Sequence, residues 1–169
     1  MSRVRLALLV GALTGISSVV GVAMPHAEVS AVRVHAYVLF DGNGRAAMTF
    51  YQSVLGGSLE VQSVAETPMS ASFPRELQGR TVHARLVAPG IELSGSDWLA
   101  PQDTPLRGNM NALYIEGGTP DATRARFEAL SRGGKVTTPF ARMPYGWYGR
   151  LIDAYGVVWM FHAAGTRED

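Results

Sequence analysis

The chain has 169 residues, 47% of them apolar and 17% charged, with fifteen basic against fourteen acidic side chains and a net charge of +1. That balance suits one ordinary globular core and offers no basic stripe for nucleic acid. The lack of cysteine excludes disulfides, zinc–cysteine centres and thiol nucleophiles.

The first stretch, "MSRVRLALLVGALTGISSVVGVAMPHA", has two arginines and then no charged residue from Leu6 to Ala27. A basic start followed by an apolar run is the pattern of a secretory signal or anchor. Val29-Ser30-Ala31 has small residues where a signal peptidase needs them, so residues 1–31 read as a leader or anchor and the protein as exported or membrane-anchored. The alternative is a true start at Met24, which makes the protein cytoplasmic. Residues 32–169 read as one domain, itself free of membrane contact.

"RVHAYVLF" (33–40) is a short β-rich run, followed by turn chemistry in "DGNG" (41–44). From Arg45 onward Ala47, Phe50, Tyr51 and Val54 recur at helical spacing, and Gly56-Gly57 ends that helix. "SLEVQSV" (58–64) alternates as a strand does. "AETPMSASFPRELQG" (65–79) has two prolines and no period, and reads as a loop. "TVHARLVA" (81–88) and "IELSGS" (91–96) are strands about a Pro89-Gly90 turn.

After a polar, proline-bearing linker at 97–108 the same order returns. "NMNALYIE" (109–116) is a strand. Thr119-Pro120 opens a helix, with Thr as N-cap and Pro in the first turn. Phe127 and Leu130 mark its buried side, and Gly133-Gly134 ends it. "KVTTP" (135–139), "WYGRLID" (147–153) and "VVWMFH" (157–162) are three further strands. "FYQSVLGG" (50–57) and "FEALSRGG" (127–134) each set a Phe six residues before a Gly-Gly pair. The chain has written one unit twice. The predicted fold is α+β: two βαβββ modules, residues 33–97 and 109–163, forming one pseudo-symmetric domain with helices outside and a concave cleft inside.

The stretches "YVLFDGNGRAAMTFYQSVLGGSLEV", "GRTVHARLVAPGIELSGSD", "GGKVTTPF" and "YGRLIDAYGVVWMF" carry a resemblance. Their element order and motifs resemble the vicinal oxygen chelate (glyoxalase, bleomycin resistance and dioxygenase) superfamily, and within it the PhnB-like branch, across residues 33–162. Ala36 departs from that pattern, where a proline is usual before the Tyr. The resemblance implies small-molecule chemistry or binding in a cleft, and chains that commonly pair, so a homodimer is expected.

Metal-using members resemble one another in holding a divalent ion with a His on the first strand and a Glu on the last strand of each module. Strand alternation puts His35, Tyr37 and Leu39 on the cleft side of the first strand. It puts His83 and Arg85 there from the third strand, and Glu92 and Ser94 from the fourth. If a metal is bound, His35, Glu92 and His83 would hold it. In the second module the place of His35 falls on Met110 or Ala112, and that of Glu92 near Met160 or Val158; His162 lies at the strand's end. Half the ligand set is missing, so no metal or other cofactor is favoured. The expected ligand contacts are Tyr37, His83, Arg85, Tyr114, Trp147 and Trp159, an aromatic wall with a few polar groups. The favoured function is metal-free binding of a small, partly aromatic or anionic molecule. The alternative is a divalent-metal-dependent lyase or dioxygenase.

Overall fold

The computed structural model describes residues 34–100, 108 and 110–164. The leader reading of residues 1–31 lies outside the described residues. Among those described, no helix is long and apolar enough to cross a membrane.

The first module runs β1 (Ala36–Phe40), α1 (Gly44–Leu55), β2 (Ser58–Ser63), β3 (Thr81–Ala88) and β4 (Ile91–Asp97). The second runs β5 (Leu113–Glu116), α2 (Pro120–Leu130), β6 (Lys135–Met143), β7 (Gly146–Ile152) and β8 (Val158–Ala163). Each module makes a four-stranded sheet, ordered β1-β4-β3-β2 and β5-β8-β7-β6. The first strand of each lies parallel to the last, and the other pairs are antiparallel. The loop between β2 and β3 holds three single turns of 3₁₀ helix, at Val64–Glu66, Ser70–Ser72 and Arg75–Leu77.

In the first, third and fourth strands of each module the registers repeat residue for residue. Leu93 faces both Ala36 and Leu86, and Trp159 faces both Leu113 and Leu151. Ala36 therefore corresponds to Leu113, Leu93 to Trp159, and Leu86 to Leu151. The glycine pairs obey the same rule. A Cβ at Gly57 would collide with the carbonyl oxygen of Val87, and one at Gly134 with that of Ile152. Val87 and Ile152 are counterparts, so the second glycine of each pair lets the chain leaving the helix cross close over its sheet.

Helix α2 begins as its sequence dictates, with Pro120 in the first turn and the Thr119 hydroxyl accepting from Ala122 N at 3.2 Å. Helix α1 has no such cap of its own. Its start is held by buried Asp97 at the end of β4, which accepts from Gly44 N at 2.8 Å and from Thr81 N at 2.7 Å. A carboxylate at a helix N-terminus meets both the free N–H groups and the positive end of the dipole.

Alternation on the strands divides each sheet into two faces. Phe40, Ala84, Leu86 and Leu93 pack with α1, while Phe127, Leu151, Trp159 and Phe161 pack around α2, in one continuous core. Tyr51 of α1 joins the modules. Its ring meets Trp159 edge-on at 5.4 Å, and its hydroxyl donates to Asp153 Oδ2 at 2.7 Å. The same oxygen accepts from Trp159 Nε1 at 2.8 Å, and Oδ1 accepts from Tyr155 N and Val157 N, each at 2.9 Å. Asp153 is only 4% exposed, so this one carboxylate organises the β7–β8 turn and locks α1 onto the second sheet.

Several boundaries differ from the expected ones. β1 starts at Ala36 and β5 at Leu113, later than the apolar runs suggested, because pairing with β4 and β8 sets their lengths. β6 continues through Pro139 to Met143. It is an edge strand with two register shifts, where the missing proline N–H is tolerated.

Candidate functional site: two helix-free sheet faces and the seam between them

On the first sheet the face away from the helix carries Tyr37, Ser94, Arg85 and Glu60 side by side, one from each strand. Tyr37 is 49% exposed, and its ring lies 6.2 Å from that of His83. Arg85 donates from Nε and Nη2 to Glu92 Oε1, at 3.1 and 2.8 Å. His35 Nε2 lies 3.2 Å from Ser94 Oγ. The alternation read from sequence for β1, β3 and β4 holds, and Tyr37, His83, Arg85, His35 and Glu92 share one face.

The second sheet presents a matching face. Tyr114, Met160 and Arg150 form one row across it, and Glu116, His162 and Tyr148 the next. His162 Nε2–H donates to the Tyr145 carbonyl at 3.0 Å, and its Nδ1 lies 3.6 Å from Glu116 Oε1. Tyr114 is 51% exposed. Partial desolvation, then the Glu116 carboxylate and the neighbouring Tyr148 and Tyr145, push its phenol above the usual range. Counterparts across the repeat are Tyr37 and Tyr114, Arg85 and Arg150, His83 and Tyr148, and Ser96 and His162.

A groove of about 290 Å³ is lined from the core side by Ala36, Leu55, Leu93 and Ile115, and from the helix-free faces by Glu92 and Tyr114. Trp159 also lines this groove. It is 3% exposed, its Nε1 is bound to Asp153, and it belongs to the core. Trp147 is not on the helix-free face. It shares parity with Gly149 and Leu151, stacks on Phe140 at 5.8 Å, and lies under the Arg124 guanidinium of α2 at 5.1 Å. The regular β7–β8 register, with Leu151 in the core, fixes that orientation.

The registers also give the second-module counterparts of the residues expected to hold a metal. The counterpart of His35 is Ala112, and that of Glu92 is Val158, neither able to ligate a metal. In the first module Glu92 is bound to Arg85, and His35 to Ser94. Among the described residues no three His, Asp or Glu side chains converge as a ligand set. The donors present therefore do not fit a divalent ion of the kind two symmetric modules would share.

A family model described as the glyoxalase/bleomycin resistance protein/dioxygenase superfamily matches residues 33–161. The chain belongs to this superfamily. Among solved structures, the glyoxalase-fold chain is similar to protein PA1353 of Pseudomonas aeruginosa, at 26% identity and a TM-score of 0.71, with 79% of this chain and 98% of that one covered. It is also similar in fold to a PhnB protein of Bacillus cereus, at 23% identity and a TM-score of 0.63, covering 79% and 100%. A glyoxalase/bleomycin resistance protein/dioxygenase family enzyme of Burkholderia phytofirmans shares 14% identity at a TM-score of 0.53, over 78% and 97%. No curated protein matches.

Placed on the structure, the motif residues that carried the resemblance divide into two kinds. Tyr51, Gly57, Asp97, Asp153 and Trp159 build the glyoxalase fold. Tyr37 and His83 lie on a surface open to a ligand. Sequence reasoning missed Tyr145, Tyr148, Arg150 and Glu116 as members of the second open face. Aligning the two "RL" pairs, Arg85-Leu86 and Arg150-Leu151, would have revealed the arginine counterpart.

Proposed function

We propose that this glyoxalase-fold protein, PhnB-like in its motifs, is a metal-free binder of small, partly aromatic or anionic molecules. The observation that carries this reading is the pair Ala112 and Val158 at the positions where a second half of a metal site belongs. Exposed Tyr37 and Tyr114, with His83 and Arg85, supply the aromatic and polar contacts that such binding needs. Trp147 has no part in it, and Trp159 belongs chiefly to the core. Elemental analysis of protein purified without a chelating tag tests the reading. Less than a tenth of an equivalent of zinc, nickel, manganese or iron is expected. A stoichiometric metal would favour the lyase or dioxygenase reading instead.

The helix-free faces leave tyrosines half exposed, and the outer strands β2 and β6 leave unpaired edges, so a second copy of the chain has reason to cover them. The proposal is a homodimer that completes the binding surface. Light scattering at about 50 µM, far above the dissociation constant of a tight dimer, should give twice the chain mass; a monomer would refute it. Residues 1–31 are proposed to export or anchor the protein. Mass spectrometry of protein from its native host should find a start near Val32 if the leader is cleaved, or the intact leader on membrane-bound protein if it anchors. Soluble protein beginning at Met24 would make it cytoplasmic.

A further inference from the structure

We propose that Arg150 is the anchor for the anionic group of the ligand, on the helix-free face of the second sheet. This rests on the small-molecule-binding reading and names the chemical class it takes. The argument starts from the repeat. Arg85 and Arg150 occupy the same place in the two sheets, each on the third strand facing away from the helix. Arg85 is neutralised by Glu92 at 2.8 Å. The counterpart of Glu92 is Val158, and among the described residues Arg150 has no ion-pair partner. Its Nε atom is buried and unbonded. A guanidinium drawn partly out of water without a partner is unfavourable, and an arriving carboxylate or phosphate restores the missing charge-assisted bonds in the two-pronged geometry that guanidinium prefers.

The surroundings suit a small organic anion rather than a bare ion. Met160 lies beside Arg150 on β8, with Tyr114 beyond it on β5. Strands are about 4.8 Å apart, so Tyr114 and Arg150 stand roughly 10 Å apart at the backbone and can both reach a ligand over the Met160 floor. Met160 offers apolar contact, Tyr114 an aromatic wall and a hydroxyl donor, and Arg150 the charge. The nearest acid on this face, Glu116, is one row away and directed to His162.

The test uses benzoate as probe and benzyl alcohol as its uncharged analogue, with the full chain at constant ionic strength. In nitrogen-15 spectra of the arginine Nε–H groups, one resonance, absent from Arg150→Gln, should move saturably with benzoate and stay still with benzyl alcohol. Benzoate should raise the melting temperature of wild type and leave that of Arg150→Gln unchanged. A second variant, Val158→Glu, supplies the missing carboxylate from within the chain. It should lose the benzoate response. No saturable response of wild type by about 10 mM benzoate, ten times the millimolar scale of a weak site, would overturn the proposal. An undiminished response in Arg150→Gln would overturn it too, by moving the anion elsewhere. Equal responses to benzoate and benzyl alcohol would overturn the anion assignment and leave the binding reading standing.

Discussion

Replacing Asp153 by Ala should be the most damaging single change in the core. The carboxylate accepts four hydrogen bonds, two of them from the buried Tyr51 hydroxyl and the Trp159 indole. Each buried donor left without a partner costs about 1–3 kcal/mol, so those two alone give about 2–6 kcal/mol. Tyr51→Phe removes a single bond and leaves Oδ2 bound to Trp159, so its cost should be about 1–2 kcal/mol. Urea unfolding followed by tryptophan fluorescence and circular dichroism measures both, with equal slopes required for the comparison. In the double variant Tyr51→Phe adds less than it does alone, because its hydroxyl has already lost its acceptor. An Asp153→Ala cost under about 1 kcal/mol, or full additivity in the double variant, would refute the claim that this carboxylate locks the modules together.

Three further outcomes follow from the same geometry. Gly57→Ala and Gly134→Ala should each destabilise by about 1–3 kcal/mol or more, by forcing the helix exit off its sheet; chemical denaturation of either at wild-type midpoint would count against the close crossing. The Tyr51 phenol is held well above its ordinary range, first by burial and then by the Asp153 charge. The unfolded chain thus loses that proton first, and stability should fall as pH rises beyond 10, a decline that Tyr51→Phe flattens in a pH series of urea midpoints. Arg85→Ala should cost at most about 1 kcal/mol by the same denaturation, since its pair with Glu92 is 42% and 25% exposed at the side chains; a loss of several kcal/mol would make the pair structural.

Much of the fold was legible because its signals are local. Thr119-Pro120 opens a helix, Gly-Gly closes one, and strict alternation on β3 shows which side of His83 and Arg85 meets water. The repeated element order then gave two modules. The site was legible only in its first half. Trp147 was misplaced because alternation was not carried along β7, where it falls in step with Gly149 and the core residue Leu151. Arg150 was passed over because its contrast with Arg85 shows only once the registers set Val158, rather than Met160, against Glu92. Asp153 and Tyr51 are 102 residues apart, so their bond has no local trace at all.

That long-range bond bears on how a duplicated chain can be divided. Tyr51 belongs to the first repeat, and the carboxylate that receives its hydroxyl belongs to the second. A first repeat made alone would bring a phenol and an aromatic face to a surface with nothing to meet. A second repeat made alone would bury a carboxylate with one donor gone and the Trp159 ring uncovered. The two halves are alike in fold and yet not interchangeable. Severed between β4 and β5, they should be poorly structured apart and regain native fluorescence only when mixed, each acting as the template on which the other completes its folding.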